Sequence, residues 1–253
     1  MAKHFAETGS TNFTLFGGAT IYAVTMHVQR LAGMLAYFCE DETTSYDGVK
    51  TRNELAAKVA GAGVDPAKFT SSKYTISGYM QGFSFDDAFS TQLTNSMMAG
   101  GTTVLSVGAG DAVTGIAFGI AQAIDAIDAS KLRTGGVDSI ATGYVNFFDM
   151  GYSYDCGKFA SIMAPGLVLM LKACKGEVLK DANGVVPYLG TSYWVATSKA
   201  EIEEMLAQDN ATDGFCYNAK VVQHFVDADY SEFKKLCEAD FQAAMQIKDQ
   251  YGK

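Results

Sequence analysis

Apolar residues recur along the chain with two periods, one typical of helices and one typical of strands. Spacings of three and four predict an amphipathic helix over Thr20–Phe38, and a second helix is predicted over Asp47–Ala60. Alternation of apolar and polar residues, rich in tyrosine, predicts a strand over Lys73–Phe85. A further helix is predicted to begin at Asp86, whose carboxylate suits the positive end of a helix dipole, and to end before Gly100.

The segment Ala88–Ile124 carries only one ionisable side chain, Asp111. Glycines divide it into two short apolar helices, with Asp111 as the N-cap of the second, while Thr102–Val107 fits either a strand or more helix. A single membrane-spanning helix is not expected, because the breaks interrupt the ~20 apolar residues that a span requires. The two helices form either a permanently buried core hairpin or one that leaves the core to lie in a bilayer.

The residues assigned to this hairpin, whether it is membrane-active or buried, are apolar: Met97, Met98, Val104, Leu105, Val107, Val113, Ile116, Phe118, Ile120 and Ile124. A hinge is expected at its glycines, which adopt backbone conformations closed to other residues. These hinge residues are Gly100, Gly101, Gly108 and Gly110.

After Lys131 the pattern changes to short aromatic and apolar runs. They predict strands over Ile140–Phe148, Gly151–Tyr154, Phe159–Ala173 (bent at Pro165), Val185–Thr197 and Phe215–Val226. Ser198 and Glu201 form a capping box that begins a short helix, and Asp229–Gln250 is predicted to be one closing helix. The predicted class is α+β, a single domain over residues 1–253 with helices around a mainly antiparallel sheet, a helix-rich N-terminal half and a strand-rich C-terminal half.

Charge and cysteine content narrow the choice of partners. The 28 acidic residues exceed the 19 basic ones, and the formal net charge of −9 disfavours a nucleic-acid backbone as partner. The five cysteines form no CxxC pair, which predicts free, mostly buried thiols in a protein made in a reducing compartment. The first residues lack the apolar run of a signal peptide, so synthesis in the cytoplasm without a cleavable leader is expected.

One stretch is compatible with an enzyme. Thr102–Gly115 fits a strand, then Gly108-x-Gly110, then a helix, which is how a nucleotide or S-adenosylmethionine pocket begins. The dinucleotide fingerprint is incomplete, since Val113 occupies the position of its third glycine. The three histidines stand alone and the sequence has no metal, triad or phosphate-loop motif, so no catalytic residue, cofactor or metal is predicted.

The order of the predicted elements resembles the Cyt-type δ-endotoxins and volvatoxin-like cytolysins over Thr20–Ala173. The resemblance rests on the aromatic strand, the near-chargeless run TVLSVGAGDAVTGIAFGIAQAI, and the later runs GYVNFFDMGYSYDCGKF and GLVLMLKA. The helix over Asp47–Ala60 and the helix after Asp229 depart from the family pattern. The resemblance implies a soluble protein that perturbs membranes by binding lipid and associating with copies of itself, without catalysis.

Two other functions stay open. A self-assembling structural or inclusion protein would bury the uncharged segment in contacts between subunits. An enzyme that binds S-adenosylmethionine or a nucleotide would use the turn at Gly108 and Gly110. The expected partners are therefore membrane lipid and further copies of the chain, and not nucleic acid.

Overall fold

The computed structural model describes residues 1–18, 24–82, 91, 94–95, 103–106, 133–137, 142–157, 163–187, 189–210 and 216–253. The helices in these ranges are α1 (Ala2–Glu7), α2 (Val24–Phe38), α3 (Arg52–Val59), α4 (Ala164–Cys174), α5 (Lys199–Asn210), α6 (Ala219–Asp227), α7 (Tyr230–Glu238) and α8 (Phe241–Tyr251). The strands are β1 (Asn12–Gly18), β2 (Ser45–Tyr46), β3 (Phe69–Thr70), β4 (Thr75–Gly82), β5 (Thr103–Ser106), β6 (Arg133–Val137), β7 (Tyr152–Gly157) and β8 (Trp194–Ala196). Pro66–Lys68 and Thr142–Met150 form 3₁₀ turns.

The predicted mixed class is confirmed, because the described ranges combine helices with a six-stranded sheet. The predicted antiparallel pairing is wrong: β1 pairs in parallel with β4 and with β5, and β5 pairs in parallel with β6. Alternation of side chains along a strand shows which face each residue takes but says nothing about the direction of its neighbours. Parallel neighbours need a crossover, and the one between β1 and β4 contains α2 and α3.

The chain divides into two compact units, and the first covers residues 1–139 and 146–155. Five strands belong to it in the order β4-β1-β5-β6-β7, with the last residues of β7 passing into the second unit. The small antiparallel pair of β2 and β3 lies within the crossover from β1 to β4. The prediction of a single domain over residues 1–253 stays a prediction.

The core of the first unit lies between β1 and the helix that follows it. Leu31, Leu35 and Phe38 of α2 are buried, as the periodicity predicts. The Phe38 ring lies 4.8 Å from the Phe13 ring on β1 and 5.0 Å from the Tyr74 ring, measured between centroids. Aromatic pairs at these distances add to the stabilisation from burial. This cluster holds α2 on the sheet.

The second unit covers residues 140–145 and 156–253 and is mainly helical, so the prediction of a strand-rich C-terminal half is wrong. Phe159–Ala173 contains most of the helix α4, in which Pro165 occupies the first turn. Proline is tolerated there because the missing N–H has no helical partner to lose. Phe215–Val226 likewise contains most of α6, and Ile140–Phe148 lies largely in a 3₁₀ turn. Among the described residues of Val185–Thr197, the strand is the short β8.

Side-chain caps set the boundaries of the last helices. Asn218, Asp229 and Asp240 each accept backbone N–H donors at the start of α6, α7 and α8. The predicted single helix over Asp229–Gln250 is therefore two helices, because Asp240 begins a new one. At α5 the Ser198 half of the predicted capping box is present, since the Glu201 N–H donates to Ser198 Oγ at 3.3 Å. The Glu201 carboxylate accepts from the N–H of Thr197, one residue before the expected donor.

We expect Phe38→Ala to lower the free energy of unfolding by about 3–5 kcal/mol, because it leaves a cavity among packed rings. Met26→Ala is the control, since Met26 lies on the same helix and is 38% exposed; because less apolar area is lost there, it should cost about 1 kcal/mol or less. Urea denaturation followed by circular dichroism measures both. Equal losses for the two variants would contradict this packing of α2.

Candidate functional site

The first candidate site is the edge of the sheet where the strand order reverses. From β1 the chain moves to β4 on one side and then to β5 on the other side. Phe16 of β1 is paired with Ser106, the last residue of β5, and β1 continues to Gly18. Because the strands are parallel, their carboxyl ends lie at the same edge. In open sheets of this kind, ligands bind in the crevice outside the carboxyl ends at such a reversal.

Glycines mark both strands at this edge. Gly17 and Gly18 are the last two residues of β1. In the sequence, Gly108 and Gly110 follow shortly after the end of β5. A glycine lets a ligand approach the backbone N–H groups, since no Cβ intervenes. At the described end of β1, therefore, no Cβ would separate the main chain from a neighbouring group.

The strands that lead to this edge are buried. Thr14 and Leu15 of β1, and Val104 and Leu105 of β5, are 0% exposed. β5 has a parallel partner on each side, namely β1 and β6. Thr102–Val107, for which the sequence left strand and helix open, therefore contains a central strand over Thr103–Ser106.

Arg133 fixes the opposite edge of the sheet, where β6 begins. Its guanidinium donates to the carbonyl oxygen of Thr8 at 2.8 Å and to Thr8 Oγ1 at 2.6 Å. It also donates to Ser10 Oγ at 3.2 Å, and that hydroxyl accepts a second bond from Thr103 Oγ1 at 2.8 Å. Partial burial lowers the pKa of Arg133 from its usual value. These bonds tie the amino ends of β5 and β6 to the segment that precedes β1, so the register at the carboxyl edge is fixed.

Of the hairpin residues predicted from the sequence, the structure describes Val104 and Leu105, which lie in β5. The others lie outside the described residues: Met97, Met98, Val107, Val113, Ile116, Phe118, Ile120 and Ile124. The same holds for the predicted hinge glycines and for the predicted cap: Gly100, Gly101, Gly108, Gly110 and Asp111.

The second candidate site is the outer side of α4 in the second unit, which the sequence analysis missed because this run was interpreted as a strand. Met163 is 70% exposed and Met170 is 67% exposed, with Leu167, Leu169 and Leu171 also exposed. We call these five residues the α4 surface. Soluble monomers rarely expose large contiguous apolar area, so the α4 surface is a candidate interaction site.

Lys172 determines which side of α4 faces inward. It is only 5% exposed, and its ammonium donates to the carbonyl oxygens of Val226 at 2.7 Å and Ala228 at 2.9 Å. The Glu177 carboxylate lies 3.6 Å from the same nitrogen. Val226 lies in the last turn of α6 and Ala228 directly follows the helix, so both carbonyls lie at its C-terminal end, where the helix dipole favours a cation. Rotating α4 to bury its leucines would take the ammonium away from these acceptors, so the apolar side is held outward.

Three of the buried cysteines are poor nucleophiles at neutral pH. All five are free, and all except Cys174 are buried, as the sequence predicts. Burial raises the pKa of Cys216 to about 12 and that of Cys237 to about 11, and it also raises the pKa of Cys39. A thiol with a raised pKa stays protonated at neutral pH and does not act as a nucleophile.

Within the described ranges, no group of three or more His, Cys, Asp and Glu side chains is arranged to hold a metal ion. In the same part of the chain, no helix combines the length and the hydropathy that crossing a membrane requires. Comparison with protein-family models, with curated proteins and with solved structures found no match for this chain.

We expect one fast-reacting thiol per chain at pH 8 when the folded protein is treated with a disulfide reagent, since only Cys174 is exposed. Cys216 should stay unreactive even at pH 9, because its raised pKa keeps it protonated there. Absorbance of the released thiolate measures the count, and all five thiols should react in denaturant. Cys174→Ser is the control and should remove the fast phase; a fast phase that persists in it would contradict this assignment.

Proposed function

We propose that the protein binds a nucleotide or S-adenosylmethionine at the carboxyl edge of the sheet, between β1 and β5. The observation that carries the proposal is the reversal of strand order at β1, with parallel strands on both sides. At such a reversal, the connections that follow the two neighbouring strands run in opposite directions. The crevice between these connections is where sheets of this kind bind ligands.

The composition of this edge suits the phosphate or carboxylate groups of such ligands. Gly17 and Gly18 end β1, and the helix α2 follows β1 in the chain. Backbone N–H groups near the start of a helix carry a partial positive charge, which attracts anionic groups. Among the described residues of β1 and β5, the buried polar side chains are the hydroxyls of Thr14 and Thr103. Neither carries a negative charge that would repel an anionic ligand.

Gly18→Val should weaken binding of ATP, NADH or S-adenosylmethionine by at least about tenfold, because a branched side chain blocks the approach to the backbone. Gly33→Val is the matched control: a Cβ at Gly33 would lie 3.9 Å from the Arg52 side chain, which is ordinary contact. Isothermal titration calorimetry with the three probes measures both variants and the wild type. Absence of heat with all three ligands, or equal affinity in the two variants, would overturn the proposal.

A second proposal concerns membrane lipid, and the α4 surface is the observation that favours it. Exposed leucine and methionine side chains on one helix insert into the interface of a bilayer without needing a transmembrane span. The cytolysin resemblance included the runs between Ile140 and Ala173 that the sequence analysis predicts as strands. The described residues of that range instead form a 3₁₀ turn, the strand β7 and most of α4. The revised proposal is attachment through α4, which then brings copies of the chain together on the bilayer.

Met170→Glu should abolish cosedimentation with phosphatidylcholine vesicles, because a carboxylate on the α4 surface would have to be desolvated. Met26→Glu, which places the same charge at a 38% exposed site on α2, should bind like the wild type. Analytical ultracentrifugation without vesicles provides the second measurement. If the wild type does not bind vesicles but self-associates, and Met170→Glu does not self-associate, the lipid proposal is wrong. The partner of the α4 surface is then a second copy of the chain.

A further inference from the structure

The loop that follows α4 contains the one Asn-Gly pair in the sequence, Asn183–Gly184. Both residues are exposed to solvent. In such a pair the backbone nitrogen of the second residue attacks the side-chain amide of the first, and a glycine has no Cβ to hinder the approach. Asparagine is among the thermolabile residues of proteins. This position therefore combines the residue types and the exposure that a spontaneous covalent change requires.

The side chain of Asn183 is free to take part in this reaction. Within the described part of the chain, its amide makes no hydrogen bond, and the residue is held through its backbone N–H alone. Asn218 in the same unit is different. Its Oδ1 accepts the N–H groups of Lys220 and Val221, each at 3.1 Å, and its Nδ2 donates to the carbonyl oxygen of Gly252 at 2.9 Å. Asn218 is thus an internal reference for a restrained side chain.

A tight turn holds the attacking nitrogen. The Gly184 N–H donates to the carbonyl oxygen of Asp181 at 3.0 Å, and the Asp181 N–H donates to the carbonyl oxygen of Val185 at 2.9 Å. Gly184 has a φ of +76°, the left-handed conformation that three-residue loops between paired segments place at their last position. The attack requires the nitrogen to lose its proton, and the bond to Asp181 retains that proton. The turn therefore slows the reaction.

The Asp181 carboxylate opposes the reaction in two ways. Its Oδ1 accepts the N–H groups of Asn183 and Val185, each at 2.9 Å, which closes the turn around the Gly184 nitrogen. The attack also passes through an amide anion, and a carboxylate this near disfavours a second negative charge. The residue that shapes the turn is therefore also the residue that protects it.

We propose that Asn183 is a site of spontaneous deamidation and that Asp181 controls its rate. The Gly184 nitrogen loses its proton to solvent and bonds to Cγ of Asn183, which forms a cyclic succinimide. The side-chain nitrogen takes up a proton and leaves as ammonia. Water then opens the ring at either carbonyl and leaves aspartate or isoaspartate at this position, with no change of oxidation state. The proposal is independent of the nucleotide site and of lipid attachment.

The test incubates the folded full chain in mildly alkaline buffer and follows the peptide that contains Asn183 by mass spectrometry, with enzymatic methylation to count isoaspartate. The wild type should change slowly at Asn183 and stay intact at Asn218. Asp181→Ala should react about three- to tenfold faster, as expected when a hydrogen bond of ordinary net strength is lost. Asp181→Asn keeps an acceptor and removes the charge, so its rate should lie between the two. Urea midpoints establish that each variant is folded.

Asn183→Gln is the control and should show no gain of mass in this peptide, because glutamine closes a larger ring more slowly. An Asn183 that stays intact in both the wild type and Asp181→Ala would overturn the assignment of the site. A wild-type rate equal to that of Asp181→Ala, or to that of the chain unfolded in urea, would overturn the control by Asp181.

Discussion

β1 has a parallel partner on each side, and most of the first unit follows from that arrangement. Two strands that run in the same direction must be joined by a crossover, so α2 and α3 have to pass over the sheet before β4 can form. Phe38 and Leu35 then cover β1, while Thr14 and Leu15 become fully buried. Placing β4 and β5 on opposite sides also creates the reversal at which the first candidate site lies. The core and the site therefore depend on the same pairing.

The second unit is organised by a buried charge. Lys172 needs acceptors once it is removed from water, and the carbonyl groups at the C-terminal end of α6 supply them. This requirement outweighs the tendency of leucine and methionine to be buried, since α4 carries apolar residues on several sides and cannot bury all of them. The result is an exposed α4 surface. A helix that buried its leucines and exposed its lysine would not have one.

The two sites differ in how far the sequence predicts them. In the sequence, the spacing of Gly108 and Gly110 after Thr102–Val107 predicts a ligand-binding turn. Gly17 and Gly18 could not be linked to that turn, because only the parallel register with Ser106 brings β1 and β5 together. The pattern of apolar and polar residues did not predict the α4 surface. A run of apolar residues with Pro165 near its start fits a bent strand as well as a helix that begins at the proline.

Local chemistry by itself determined several parts of this protein. The spacing of Leu31, Leu35 and Phe38 determined the buried side of α2, and the alternation after Lys73 determined β4. The Ser198 and Glu201 pair marked the start of α5, since it acts over a single turn. Strand direction, the helical state of the C-terminal half and the outward side of α4 were decided only by tertiary structure. Each depends on partners distant in sequence: β1 for β5, and the carbonyl groups of Val226 and Ala228 for Lys172. A periodic pattern records which residues are apolar but does not record which segment will lie against them.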